Sequence, residues 1–154
     1  MAKEKIIIGS DHAGFDMKED ISRYLAAKGF VVADAGTCSA LPVDYPDIGV
    51  VVARKVSAGE FDRGILVCGS GVGMAIVANR FPGVRAVVAL DEETTRMSRM
   101  HNDSNILALA GRRTDGKTAE KIVSVWLETP FEGGRHQARI DKITELEREL
   151  GRGK

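Results

Sequence analysis

The chain has 154 residues, with 22 basic and 22 acidic side chains, so its formal net charge is zero. This balance excludes a general electrostatic attraction to nucleic acid, and no apolar run approaches the ~18 residues that a membrane span needs. Two cysteines without a CxxC pair exclude a disulfide framework and a thiolate zinc site, and they predict a reducing, cytoplasmic setting without a signal peptide.

Short apolar runs alternate with helical periodicity along the whole chain, without a repeat or a linker. The runs predict strands over residues 5–9, 31–33, 63–68, 85–90 and 105–110. The periodic stretches predict helices over residues 15–28, 47–57, 72–79, 91–100 and 118–127. Five alternations predict one domain over residues 1–154, a three-layer α/β/α sandwich with a five-stranded parallel, Rossmann-like sheet.

A sixth helix is predicted over residues 135–150, after the alternating pattern is complete. Ile140, Ile143, Leu146 and Leu150 form one apolar stripe along it. Two hypotheses remain equally favoured for this extra C-terminal helix. It either reaches toward a partner subunit or covers the sheet of its own chain.

The third strand ends at Cys68, which is followed by Gly69-Ser-Gly-Val-Gly73 and then by a helical stretch. Parallel α/β sheets bind ligands at such strand ends, where a helix N-terminus offers free N–H groups to an anion. A cysteine is often only a small buried hydrophobe, but its place at the rim favours a reactive thiol. A thiol phosphatase loop is excluded because Met74 stands where its arginine is required.

Two histidine-containing loops are weaker candidates. Asp11 and His12 follow the first strand, where Asp11 is either a helix cap beside a solvated histidine or part of a site. His101 lies in a polar stretch with Asn102 and Asp103, between the fourth helix and the fifth strand. It is either a surface residue or an acid/base group.

Arg135 and Arg139 lie one turn apart at the start of the last helix and share a face. Cations are unfavourable at a helix N-terminus unless an anion lies there. Two guanidinium groups in that place suit a dianionic phosphate. We therefore expect a phosphate near this end of the helix.

The run Gly111-Arg-Arg-Thr-Asp-Gly-Lys-Thr118 matches the GxxxxGK[ST] pattern of nucleotide hydrolases, between a strand and a helix. Val87 to Asp91 is similar to the second motif of that class. However, this strand precedes the loop, which reverses the usual order, and little chain follows. A nucleotide hydrolase is therefore the less favoured alternative, and Arg112 or Arg113 suits a phosphate better than Lys117.

Five motifs together resemble the type B ribose-5-phosphate isomerases, in the cysteine branch of the ribose/galactose isomerase family. The resemblance covers residues 5 to 148 and is carried by Ser10-Asp-His-Ala-Gly14, Asp44-Tyr-Pro46, Gly64 to Gly73, Arg99 to Asn105 and Glu132 to Gln137. It implies a parallel sandwich, a homodimer or a tetramer with active sites shared between subunits, and no metal or organic cofactor. The implied substrate is a small sugar phosphate, either ribose 5-phosphate or a hexose 6-phosphate such as that of allose or galactose. A non-catalytic sugar-phosphate-binding module remains a further alternative.

The resemblance also implies roles in moving a proton between C1 and C2 through an enediolate. Cys68 matches the family's base, because Met74 replaces the glutamate that serves another branch. Ser70, where threonine is common, would shuttle the oxygen proton, and His101 would open the sugar ring with Asp11 nearby. The remaining implied ligands are Tyr45 and Asn102 for the sugar, the backbone of Gly69, Gly71, Val72 and Gly73 for the oxyanion, and His12, Arg112, Arg135 and Arg139 for the phosphate. No role is implied for Cys38, which we expect to pack in the core.

Overall fold

The computed structural model describes residues 3–153 as five parallel strands between helices. The strands are β1 (Ile6–Ser10), β2 (Val32–Asp34), β3 (Arg63–Cys68), β4 (Ala86–Val88) and β5 (Ile106–Ala110). The helices are α1 (Phe15–Ala27), α2 (Tyr45–Ser57), α3 (Val72–Ala78), α4 (Glu92–Asn102), α5 (Gly116–Glu128) and α6 (Arg135–Glu149). The predicted sandwich with its extra C-terminal helix is confirmed.

The sheet has the strand order β2-β1-β3-β5-β4, and every neighbouring pair is parallel. Every residue of β1, β3 and β5 is buried, as their continuous apolar sequences predict. The chain goes from β1 to the edge strand β2 and then returns across β1 to β3. The strand order therefore reverses between β1 and β3, and this is the point where open α/β sheets bind ligands.

Two apolar cores lie on opposite faces of the sheet. One contains Ile21 and Leu25 of α1 with Trp126 of α5, and the other contains Val52 of α2 with Met74 of α3. Each of these side chains is at most 1% exposed. Burying one such side chain stabilises the fold by about 1.5–3 kcal/mol.

The sixth helix does not belong to either core. It packs on α4, and the Glu147 carboxylate accepts hydrogen bonds of 3.1 Å from the Gly83 N–H. Ile140 is buried, whereas Ile143, Leu146 and Leu150 remain 46%, 50% and 60% exposed. Since the stripe does not cover the chain's own sheet, its burial against a partner subunit stays a prediction.

Cys38 does not pack in a core. It lies in the loop between β2 and α2, and its side chain is exposed. The packing role predicted for it is therefore wrong. The sequence around it contains small and polar residues, and it lacks the apolar periodicity that would anchor a core element.

A short 3-10 turn, His12–Gly14, joins β1 to α1 and lies directly against β3. A Cβ atom at Gly14 would come within 2.5 Å of the Val67 carbonyl oxygen. Only glycine lets the turn approach the strand so closely, because the obstacle is backbone and cannot move aside. This contact fixes the loop after β1 beside the end of β3.

The Gly14→Ala substitution should lower the free energy of unfolding by about 1–3 kcal/mol, because the added methyl group overlaps the backbone of β3. The matched control is Gly116→Ala, at the first residue of α5, where a Cβ meets nothing within 4 Å. That change should be neutral or stabilising by about 0.4–1 kcal/mol. Urea unfolding of both variants measures the difference, and equal midpoints would contradict it.

Candidate active site

The turn after β3 places the Cys68 thiol beside backbone donors. Cys68 is the last residue of β3 and is 5% exposed, and α3 begins four residues later. Gly71 adopts a left-handed conformation, with φ of +77°, where any side chain is strained. Its N–H donates to the Cys68 Sγ over 3.2 Å. The turn thus holds the sulfur against a backbone donor at the start of a helix.

A cleft of about 390 Å³ opens above this turn, at the carboxyl ends of the strands. The sequence predicts a site at these strand ends, and the structure adds that the strand order reverses there. Its lining comes from four parts of the chain, namely Asp11, Tyr45, Cys68, Gly69, Ser70, Gly73, Arg112 and Arg113. The residues that line the cleft thus carry a thiol, two hydroxyls, a carboxylate and two guanidinium groups.

Asp11 serves as a cap and also lines the cleft. It is 7% exposed, and its Oδ1 accepts a hydrogen bond of 3.0 Å from the Gly14 N–H. The two interpretations of Asp11 are therefore compatible, since a carboxylate has a second oxygen. His12 faces the loop before α2, where its Nδ1 lies 3.2 Å from both the N–H and the carbonyl oxygen of Val43. It does not line the cleft.

Tyr45 and Arg112 are held on two sides of the cysteine turn. Tyr45 is the first residue of α2, and its ring lies so close to Gly73 that a Cβ there would approach it to 2.7 Å. On the other side, the Gly111 N–H donates to the Cys68 carbonyl and the Arg112 N–H to the Gly69 carbonyl, over 2.8 and 3.1 Å. The loop after β5 is therefore bonded to the turn after β3.

Four other predicted site residues lie at the amino ends of the strands, opposite the cleft, on the side of the sheet that we call the amino edge. They are His101, Asn102, Arg135 and Arg139. Asn102 ends α4 just before β5 begins, whereas Cys68 pairs with Ala110 at the far end of β5. The four residue steps along β5 separate these ends by ~13 Å, at ~3.3 Å per residue. None of the four residues lines the cleft. A single chain does not bring them to Cys68.

At the amino edge, the rings of His101 and His136 stack, with centroids 4.4 Å apart and planes inclined by 17°. The His136 Nε2 lies 3.4 Å from a carboxylate oxygen of Glu132. Burial, together with the charges of His101 and Arg135, lowers the pKa of His136 below its ordinary value of 6.5, against the opposing effect of Glu132. His136 is therefore neutral at physiological pH.

Two buried or partly buried arginines hold the end of α4 that carries His101 and Asn102. The Arg85 Nε donates to the carbonyls of Asn102 and Asp103 over 2.8 and 3.0 Å. Arg99 donates to the Asp103 carboxylate over 2.7 Å and to the Ser104 carbonyl over 2.6 Å. The sequence does not predict this arrangement. Its only local signal is a basic residue in the last turn of a helix, where cations are favourable.

In the loop that matches GxxxxGK[ST], a side chain of the loop itself accepts hydrogen bonds from the donors that a phosphate would need. Asp115 caps α5, and its carboxylate accepts from the Thr118 N–H over 2.9 Å and from the Thr118 hydroxyl over 2.8 Å. A carboxylate thus occupies the place where a nucleotide phosphate would bind. Asp91, the last residue of the second motif, likewise caps α4 by accepting from the Thr94 N–H. Both observations count against a nucleotide hydrolase.

No helix within residues 3–153 combines the length and the apolar character that crossing a bilayer requires.

Residues 6–143 match the family described as Ribose/Galactose Isomerase. The chain is 46% identical to ribose-5-phosphate isomerase B of Escherichia coli over 144 residues, which cover 94% of this chain and 97% of that protein. It resembles the structure of ribose-5-phosphate isomerase B from Clostridium thermocellum with a TM-score of 0.93 and 49% identity, covering 95% of this chain and 99% of that one. The enzyme from Mycoplasma genitalium, solved with bound ribulose 5-phosphate, gives a TM-score of 0.91 and 43% identity, covering 94% and 97% of the two chains.

The lowered pKa of His136 predicts that stability falls as the solution becomes acidic. Between the folded-state pKa and 6.5, the unfolded chain binds a proton at this residue and the folded chain does not. The free energy of unfolding should therefore drop from about pH 7.5 to about pH 5.5, and it should drop less in His136→Gln. Urea unfolding in EDTA at both pH values measures this, and equal losses in the two proteins would contradict it.

Proposed function

The chain belongs to the ribose/galactose isomerase family, and on that basis we propose that it interconverts ribose 5-phosphate and ribulose 5-phosphate. The observation that carries the proposal is the Cys68 thiol, which lines a cleft and accepts a hydrogen bond from the Gly71 N–H. Isomerisation moves one proton between neighbouring carbons, so it needs a base, an oxyanion site and a route for the hydroxyl proton.

In the proposed reaction, the Cys68 thiolate removes the proton from C2 of the open-chain aldose. The negative charge that develops on the carbonyl oxygen at C1 is stabilised by backbone N–H groups of the turn over residues 69–73, where the Gly71 N–H is shared with the Cys68 sulfur. Ser70 moves the hydroxyl proton from the oxygen on C2 to the oxygen on C1. The Cys68 thiol then returns its proton to C1, which yields the ketose without an external oxidant or reductant.

We propose that a complete site requires two copies of the chain. Cys68, Ser70, Asp11, Tyr45 and Arg112 belong to the cleft. The other proposed residues, His101, Asn102, Arg135 and Arg139, lie ~13 Å away at the amino ends of the strands. A homodimer in which the amino edge of one copy faces the cleft of the other would join the two sets. His101 would then open the ring, Asn102 would contact the sugar, and Arg135 and Arg139 would hold the phosphate with Arg112 and His12.

The exposed apolar stripe of α6 supports this dimer. Ile143, Leu146 and Leu150 are each about half exposed on the helix that begins with Arg135. Contact across that stripe would fix the arginines of one copy relative to the cleft of its partner. We also propose a cytoplasmic location, because both thiols are free and Cys38 is exposed, which suits a reducing compartment.

The Cys68→Ala variant should lose isomerase activity by about a thousandfold or more, because it removes the base. Ribose 5-phosphate turnover is measured in EDTA, with allose 6-phosphate and galactose 6-phosphate assayed in parallel to determine substrate length. Cys38→Ala is the matched control, since that thiol is exposed and lies outside the cleft. It should retain full activity. Substantial turnover by Cys68→Ala would exclude this residue as the base.

Mixing two inactive variants tests the shared site. Cys68→Ala and His101→Asn homodimers should each be inactive, but a mixed dimer has one site with both native residues. Statistical exchange after mild unfolding and refolding should restore about a quarter of the wild-type activity. Each variant refolded alone provides the control. Absence of recovery in a mixture shown to contain mixed dimers would place both residues in the same chain's site.

A further inference from the structure

His101, Glu132 and His136 form a cluster at the amino edge of the sheet, outside the cleft that contains Cys68. Each offers one ligand atom, and these atoms lie within 4.8 Å of one another. The cluster joins the end of α4 to the start of α6, because His101 belongs to α4 and His136 to α6. Neither Glu132 nor His136 has a part in the proposed isomerisation.

One atom of the cluster lacks a partner. The His136 side chain is 6% exposed, and its Nε2 has no hydrogen bond among the described residues. A carboxylate oxygen of Glu132 lies 3.4 Å from this nitrogen without forming a hydrogen bond with it. A buried ring nitrogen without a partner is costly in either tautomer unless something binds it.

The spacing of two of the three ligand atoms already fits zinc, and the third lies within 4.8 Å of them. Tetrahedral zinc with bonds of about 2.0–2.1 Å places its ligand atoms about 3.3–3.4 Å apart. The Nε2 of His136 and the Glu132 oxygen have this separation, at 3.4 Å. Two imidazole nitrogens, one carboxylate and a water in the fourth position form a donor set that zinc takes in proteins.

We propose that His101, Glu132 and His136 bind one zinc ion per chain and that this zinc inhibits the isomerase. The stacked rings cannot both point a nitrogen at one ion, so one ring turns on binding. His101 is the ring that turns, because it is only partly buried and no hydrogen bond holds it in the described structure. Zinc would then occupy the nitrogen that the proposed ring-opening step needs. The inhibition rests on the proposed function, whereas the binding does not.

Binding is tested on protein without a polyhistidine tag, in a Cys38→Ser and Cys68→Ser background that removes thiolate ligands. Competition against a chromophoric zinc chelator should show one zinc per chain at about neutral pH. Glu132→Gln should weaken binding at least about tenfold, because a neutral amide is a poor zinc ligand. Glu149→Gln, an exposed change at the far end of α6, is the matched control and should bind as before.

Failure to bind zinc stoichiometrically, or equal affinity in Glu132→Gln, would overturn the site. Glu132 is 47% exposed, so its substitution should leave the fold intact, which circular dichroism checks.

Inhibition is tested with the native cysteines present. The zinc concentration that halves ribose 5-phosphate turnover should rise at least about tenfold in Glu132→Gln and stay unchanged in Glu149→Gln. Zinc that acts through Cys68 would inhibit all three proteins alike and would overturn the inhibitory role. If no protein isomerises the sugar, the proposed function fails, while the chelator competition still decides whether zinc binds.

Discussion

The common direction of all five strands is the constraint on which the arrangement of this molecule depends. Each of the four helices that connect two strands, α1 to α4, must return the chain to the amino edge before the next strand begins. Residues that end these helices therefore lie at one edge, and residues that end a strand lie at the other. Cys68 ends β3, whereas Asn102 ends α4. The proposed site residues are thus divided between two edges by the topology, and the division follows from strand direction.

This division explains how neighbouring motifs acquire different partners. The turn after β3 is held by the loops after β1 and β5, through Gly14 against Val67 and through the bond from the Arg112 N–H to Gly69. The end of α4 is held by Arg85 and Arg99. Each half of the proposed site is thus supported by contacts of its own. In the proposed dimer, two such preorganised halves would need only to dock and not to fold.

The local parts of this arrangement could be predicted from the sequence. The bounds of β3 follow from an apolar run, and the turn after Cys68 follows from the glycines that end this run. Both signals lie within a few residues of each other in the sequence. By contrast, α4 extends two residues beyond its predicted end. Its last carbonyls are bonded by Arg85, which is 17 residues before Asn102. The stacking of His101 on His136 depends in the same way on how α6 meets α4, which no local pattern contains. His12 also follows tertiary contact, since Val43 turns it toward the loop before α2.

The capping of α5 has a consequence for how new functions could arise on this scaffold. Gly111 to Thr118 carries every letter of a nucleotide-binding motif, yet Asp115 already satisfies the Thr118 N–H and hydroxyl. The loop therefore has the sequence of the motif, but its donors are not free to bind a phosphate. Loss of that one carboxylate would release two donors at a helix N-terminus, next to a lysine and two arginines. Selection that retains Asp115 would keep these donors occupied by a carboxylate. The loop would then not compete with the active site for the phosphate of the substrate.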